Sequence, residues 1–208
     1  MDYLDRELLK QYIGEDITIT FLDIDGTLLN MNDYEANNYH DDKYGVLISE
    51  TPIRNLQRII DETETKIIIT STNGVTARQP DFKRMQDMWK FRNYPGEVIG
   101  VLPANPFLEI GEGPWFRGAG IELVLEKDFN FTHQDNLYNG ERHKRIRISD
   151  DSLIKVKNYC IVDDDKDMTY SQRDHFVQTD EYLGITFEDS LKIIEILKRE
   201  LEFTTKIF

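Results

Sequence analysis

The sequence predicts an α/β fold, a three-layer sandwich with helices on both faces of a mainly parallel sheet. Short β-branched runs (DITITFLDI, KIIIT, EVIGVL and YCIV) alternate along the chain with stretches of helical apolar spacing. That alternation is the pattern of a parallel sheet whose strands are buried on both sides. At 208 residues, 39% hydrophobic and with 11 Phe, 10 Tyr and 2 Trp, the chain can bury one real core. It is too short for two equal domains. A single domain over 1–208 is expected, with room for a small cap.

Tyr3 to Tyr12 carries Leu4, Leu8, Leu9 and Tyr12 at helical spacing, and a buried strand follows from Asp16 to Ile24. Residues 30–46 are rich in Asn, Asp and Tyr with little periodicity. They read as an ordered flap or small cap loop. Thr51-Pro52 opens an amphipathic helix with Ile53, Leu56, Ile59 and Ile60 on one side, by the N-cap and first-turn proline rule. A strand over Lys66 to Thr70, a helix over Pro80 to Phe91 and a strand over Glu97 to Leu102 come next. Beyond them a helix is expected to begin near Arg117, followed by an insertion over 127–151. Tyr159 to Val162 is the fourth strand, His175 to Thr179 the fifth, and Thr186 to Leu201 a closing helix. Its inner stripe is expected to be Phe187, Leu191, Ile194 and Leu197.

Asp and Glu number 39 against 25 Lys and Arg, a net charge of −14. The long-range field therefore repels polyanions, and contact with nucleic acid needs a local basic patch. Cys160 is the one cysteine, so no internal disulfide can form, and MDYLDRELLKQY has neither a basic n-region nor an apolar h-region. A reducing cytoplasm is the expected location. No apolar run approaches the roughly 18 residues that span a bilayer.

The chemistry concentrates in FLDIDGTLL, Phe21 to Leu29. Asp23 and Asp25 stand two apart at the end of a buried strand, and Gly26 permits the turn that lets both face one site. In an open parallel sheet, ligands bind beyond the carboxyl ends of the strands. One carboxylate there can attack phosphorus to give an acyl phosphate, and a second can protonate the leaving oxygen and then activate water. A loop of solvated acids is the plainer alternative, and the apolar strand argues against it.

Asp23-Ile24-Asp25-Gly26-Thr27 resembles the first motif, DxDGT, of haloacid dehalogenase-like (HAD) phosphatases. The resemblance implies Asp23 as nucleophile, Asp25 as general acid/base, and a Rossmann-like five-stranded sheet in the order 5-4-1-2-3. It also implies a phosphoryl-binding hydroxyl after the second strand, Thr70 in IIITS with Ser71 as substitute, beside Gly26 and Thr27. YCIVDDDKDM resembles the fourth, acidic motif, so Asp163 and Asp164 are expected to hold Mg²⁺ with Asp23 and Asp25. Asp167 is the alternate. Clustered carboxylate oxygens suit that ion.

The family's third motif supplies a cation that offsets the acids and stabilises transferring charge. Arg117, in WFRGAGIELVL, resembles an RGxxI helix start, while Lys155 and Lys157 lie nearer the acidic run. All three can instead be surface charges. RGAGI, IVDDDKDM and HFVQTDEYLGIT further resemble the small HAD domains of phage and bacterial proteins named for nucleic-acid repair. The loop at 30–44 and the insertion at 127–151 depart from that likeness; the first stands where such enzymes place a substrate-selecting cap, and the second is expected to border the same mouth.

ERHKRIRIS gathers Arg142, His143, Lys144, Arg145 and Arg147 in an acidic protein. It reads either as a phosphate-backbone contact or as an edge strand guarded by charge, the reading its alternation favours. Trp89, Phe91, Tyr94 and Trp115 read as core or loop anchors, and His133 and His143 lack metal-ligand spacing. The expected function is a Mg²⁺-dependent phosphomonoesterase acting through an aspartyl phosphate on a nucleotide or nucleic-acid end. A HAD-fold protein that binds a phosphorylated ligand or a protein partner is the competing expectation.

Overall fold

The computed structural model describes residues 6–36, 41–46, 48–71, 82–102, 117–127, 144–149 and 152–199. Trp115, His133, Arg142 and His143 lie outside them, as does most of the 127–151 insertion. Among the described residues no helix is long and apolar enough to cross a membrane.

The sheet is built around β1 (Asp16–Leu22), with β4 (Lys66–Ile69) and β5 (Glu97–Val101) on one side and β8 (Ser152–Asp163) and β9 (Phe176–Gln178) on the other. These five strands are parallel throughout. Numbered among themselves they run 3-2-1-4-5, the expected order read from the opposite edge.

β8 is longer than expected. Its first half pairs antiparallel with β7 (Lys144–Ser149), which in turn meets the two-residue β6 (Glu126–Lys127). β7 and β9 thus share one edge of β8 at different heights. The backbone of the Lys144 to Ile148 run is a strand, as its alternation suggested, and it is bridged on both sides at its start instead of forming a bare edge.

Side chains alternate cleanly between the two faces. Leu22, Ile67, Ile69, Val98, Cys160 and Val162 pack under α3 (Glu50–Thr63), α4 (Phe82–Phe91) and α6 (Phe187–Lys198). Ile19, Phe21, Ile68, Ile99, Tyr159 and Ile161 pack on the opposite side, against Leu9 of α1 (Arg6–Leu9) and Ile121 and Leu125 in and just after α5 (Arg117–Val124). Fully burying each such side chain stabilises the fold by about 1.5–3 kcal/mol.

Two local readings change. The flap region contains regular structure: a short helix α2 (Met31–Glu35), capped by the Asn30 side chain on the Asp33 amide at 2.8 Å, and the hairpin β2 (Asp41–Asp42) with β3 (Gly45–Val46). Arg92 holds that hairpin through both carboxylate oxygens of Asp42, at 2.9 and 2.8 Å, and the Gly45 carbonyl at 2.8 Å. On α6 the buried stripe is Ser190, Ile193, Ile196 and Leu197, while Phe187 and Leu191 are exposed. Both stripes have helical spacing and share Leu197, and contact with the sheet selects one; the Arg58 guanidinium lies 4.3 Å from the Phe187 ring.

Candidate active site

The register of three neighbouring strands builds the site. Leu22 pairs with Ile69 on one side and Val162 on the other, so Thr70, Asp23 and Asp163 emerge side by side at the carboxyl end of the sheet. Parallel strands lie about 4.8 Å apart, which brings Asp23 beside residues 47 and 140 positions further along the sequence. After Asp23 the chain winds back on itself, with the Ile24 carbonyl accepting from the amides of Thr27, Leu28 and Leu29. Gly26 makes this possible at φ +71°, a conformation that side chains disfavour.

A cavity of about 220 Å³ opens there, lined by Asp23, Asp25, Gly26, Met31, Ser71, Arg117, Asp164, Asp165 and Glu181. Among the described residues of that lining, Arg117 is the one cation. Its guanidinium lies 3.2 Å from Asp23, in a close ion pair with Asp163, and 3.1 Å from Asp165. Asp167 lies 3.6 Å from its Nε and accepts from its backbone amide at 3.4 Å. Asp23 and Asp163 are 2% and 0% exposed, so each carboxylate has lost nearly all contact with water.

The electrostatics follow from that burial. Asp23 is pushed up by desolvation and by Asp163, against the pull of Arg117. Asp163 is raised by desolvation, with Arg117 opposing. Asp25 is raised by burial, partly countered by the Ser71 hydroxyl, which donates to it at 3.2 Å. Burial and repulsion from Asp165 raise Asp164. Among the described residues one arginine faces all these carboxylates, too little positive charge to balance them.

Oxygen atoms of Asp23, Asp163 and Asp164 all lie within 4.8 Å of one another. Hard, clustered and under-compensated, this donor set fits a divalent cation. Asp25 stands outside that trio, bonded to Ser71. Asp167 serves Arg117 instead of the trio.

The two hydroxyl candidates separate. Ser71 lines the cavity, whereas Thr70 is buried behind it, its Oγ1 without a hydrogen-bond partner among the described residues. Gly26 reaches the cavity but Thr27 does not; its buried hydroxyl bonds Thr179 at 3.0 Å and ties the turn to the end of β9. The structure does not bring Lys155 and Lys157 to the site. They lie eight and six residues before Asp163 on β8, about 20–26 Å away at the strand rise of about 3.3 Å per residue, and Lys155 pairs with Asp16 at the opposite end of the sheet.

Asp165, Glu181 and Met31 also line the cavity and were not among the expected site residues. Asp165 belongs to the same acidic run as Asp163. Glu181 follows the fifth strand, where loops beyond strand ends line the site, a signal that was available. Met31 has no such signal; it is carried there because its amide donates to the Glu181 carbonyl at 2.9 Å.

Comparison with curated proteins and with solved structures gives no significant match. A family model does match, over residues 19–190, a span that includes the second half of β1, Arg117 and the whole acidic run. The chain therefore belongs to the family described as the HAD domain in Swiss Army Knife RNA repair proteins.

Proposed function

We propose that the protein is a Mg²⁺-dependent phosphomonoesterase acting through an aspartyl phosphate on Asp23. The observation that carries this reading is the convergence of Asp23, Asp163 and Asp164 with Asp25 held apart on Ser71. Two carboxylates with different partners can take different roles.

Asp23 attacks phosphorus, forming an oxygen–phosphorus bond while the bond to the ester oxygen breaks. Asp25, which burial inclines to its protonated form, gives its proton to that departing oxygen. As a carboxylate it then takes a proton from water, whose oxygen displaces Asp23 from phosphorus and releases inorganic phosphate. Arg117 offsets charge on Asp23 and on the transferring group, and Ser71 orients Asp25. Asp23, Asp163 and Asp164 would hold Mg²⁺, which supplies charge stabilisation at the phosphoryl oxygens when bound.

The family's description speaks of RNA repair, so the substrate we propose is a nucleotide or a nucleic-acid end. The acidic surface favours a short ester over a long polyanion held by general attraction. A phosphate-release screen over nucleotides, sugar phosphates and oligonucleotide ends tests this, with and without Mg²⁺. Release that depends on Mg²⁺ and vanishes in folded Asp23→Asn supports it. Unchanged turnover in that variant refutes the nucleophile, and tight nucleotide binding without release supports the binding-protein reading.

A further inference from the structure

The first turn of α5, which carries Arg117, touches the loop that follows the acidic run so closely that no side chain fits between them. A Cβ on Gly118 would lie 2.6 Å from Gln172 Oε1 and 2.6 Å from the Thr169 amide nitrogen. Gln172 is fully buried. Its Nε2 donates to the Gly118 carbonyl at 2.9 Å and to Glu122 at 3.3 Å, and its Oε1 accepts from the Thr169 amide at 3.0 Å. On the loop side, two residues before Thr169, the Asp167 carbonyl accepts from the Gly118 amide at 3.3 Å.

The loop that begins at Asp163 is thus fastened at two ends, by β8 at its start and by Gln172 at its finish. Arg117 must span from the second anchor to the first, where it meets Asp163 and Asp23. Neither Gln172 nor Gly118 lines the cavity, so neither can touch a substrate there.

We propose that Gln172, together with the bare α-carbon of Gly118, is a positioning device that sets where the Arg117 guanidinium sits between Asp23 and Asp163. The inference rests on the phosphatase reading for its consequence in turnover, and on geometry alone for the placement. Misplacing a charged group by about 1 Å can cost on the order of a hundredfold in rate, so a fully buried amide remote from the chemistry can govern kcat.

Two variants test it. Gln172→Met keeps the volume and removes the hydrogen bonds; Gly118→Ala forces the two segments apart. The first readout is the Arg117 Nε–H resonance of arginine-labelled protein, assigned with Arg117→Lys. It should shift or broaden in either variant that melts as a folded protein, and an unmoved resonance overturns the proposal.

The second readout is kinetic. The expected loss is about tenfold or more in kcat with KM within about twofold, and it should disappear when Gln172→Met is made in an Arg117→Lys background. An equal loss in both backgrounds also overturns it, because Gln172 would then act independently of Arg117. If the wild-type protein releases no phosphate but the resonance moves, the phosphatase reading falls and the positioning role stands.

Discussion

Gly26 and Asp164 approach so closely that a Cβ on the glycine would lie 2.5 Å from the carboxylate carbon of the aspartate. The turn after Asp23 is thereby packed against the acidic run. Gly26→Ala must strain a backbone at φ +71° and displace Asp164. It should lower stability by about 1–3 kcal/mol, read by urea unfolding. It should also weaken Mg²⁺ binding in calorimetry more than Gly14→Ala, a change at another positive-φ glycine where a Cβ meets nothing within 4 Å.

Stability should fall as pH rises when no divalent cation is present. Burial raises both Asp23 and Asp163, so between their unfolded and folded pKa values the folded state binds more protons than the unfolded one. Their contribution is fully present below about 3.9, the unfolded value, and is lost as pH rises through the folded values. Thermal melts from about pH 5 to about pH 8 should therefore show a declining midpoint, shallower in Asp23→Asn. Mg²⁺ should raise the midpoint more at the alkaline end; a midpoint rising with pH in metal-free buffer would contradict the electrostatics described above.

The two hydroxyls at the end of β4 should behave differently. Ser71→Ala removes the donor that holds Asp25 down, so the Asp25 carboxyl should move higher and the alkaline limb of the pH–rate profile with it. Turnover should fall. Thr70→Val removes a buried hydroxyl that has no partner among the described residues. It should leave stability unchanged or raise it by up to about 1 kcal/mol, with turnover little altered. The reverse pattern would assign the phosphoryl contact to Thr70.

Arg117 and Lys155 offer a contrast between two cations that the sequence put forward for one role, Arg117 ahead of the lysine on its RGxxI context. Arg117→Met leaves the buried Asp23 and Asp163 without their shared partner, and chemical denaturation should show a loss of about 3–5 kcal/mol. Lys155 and Asp16 are 40% and 48% exposed at the far end of the sheet. Lys155→Ala should cost about 0–1 kcal/mol and leave phosphate release unchanged.

The parts of this protein that could be read from sequence are those carried by contiguous residues. DxDGT announces its own turn, because Gly26 follows two acids at the end of an apolar run. IVDDD places Asp163 and Asp164 at a strand end for the same reason, and RGAGI marks the start of a helix. The antiparallel extension of β8 was not legible: Lys155 and Lys157 break the apolar pattern, and the β7 pairing depends on a register between segments. Nor was the buried stripe of α6, since two sets of residues satisfy its period and only the sheet beneath discriminates between them.

From sequence alone came the alternating α/β architecture, the paired aspartates and the acidic run that accompanies them. Folding decided which cation serves those acids, which hydroxyl faces the cavity, and that Asp25 bonds Ser71 instead of joining the trio around Asp23. The physical reason is that side-chain periodicity and turn chemistry act over a few residues. Distances such as those from Arg117 to Asp23 and Asp163 are set by strand register and loop anchoring across dozens of positions, which local pattern does not encode.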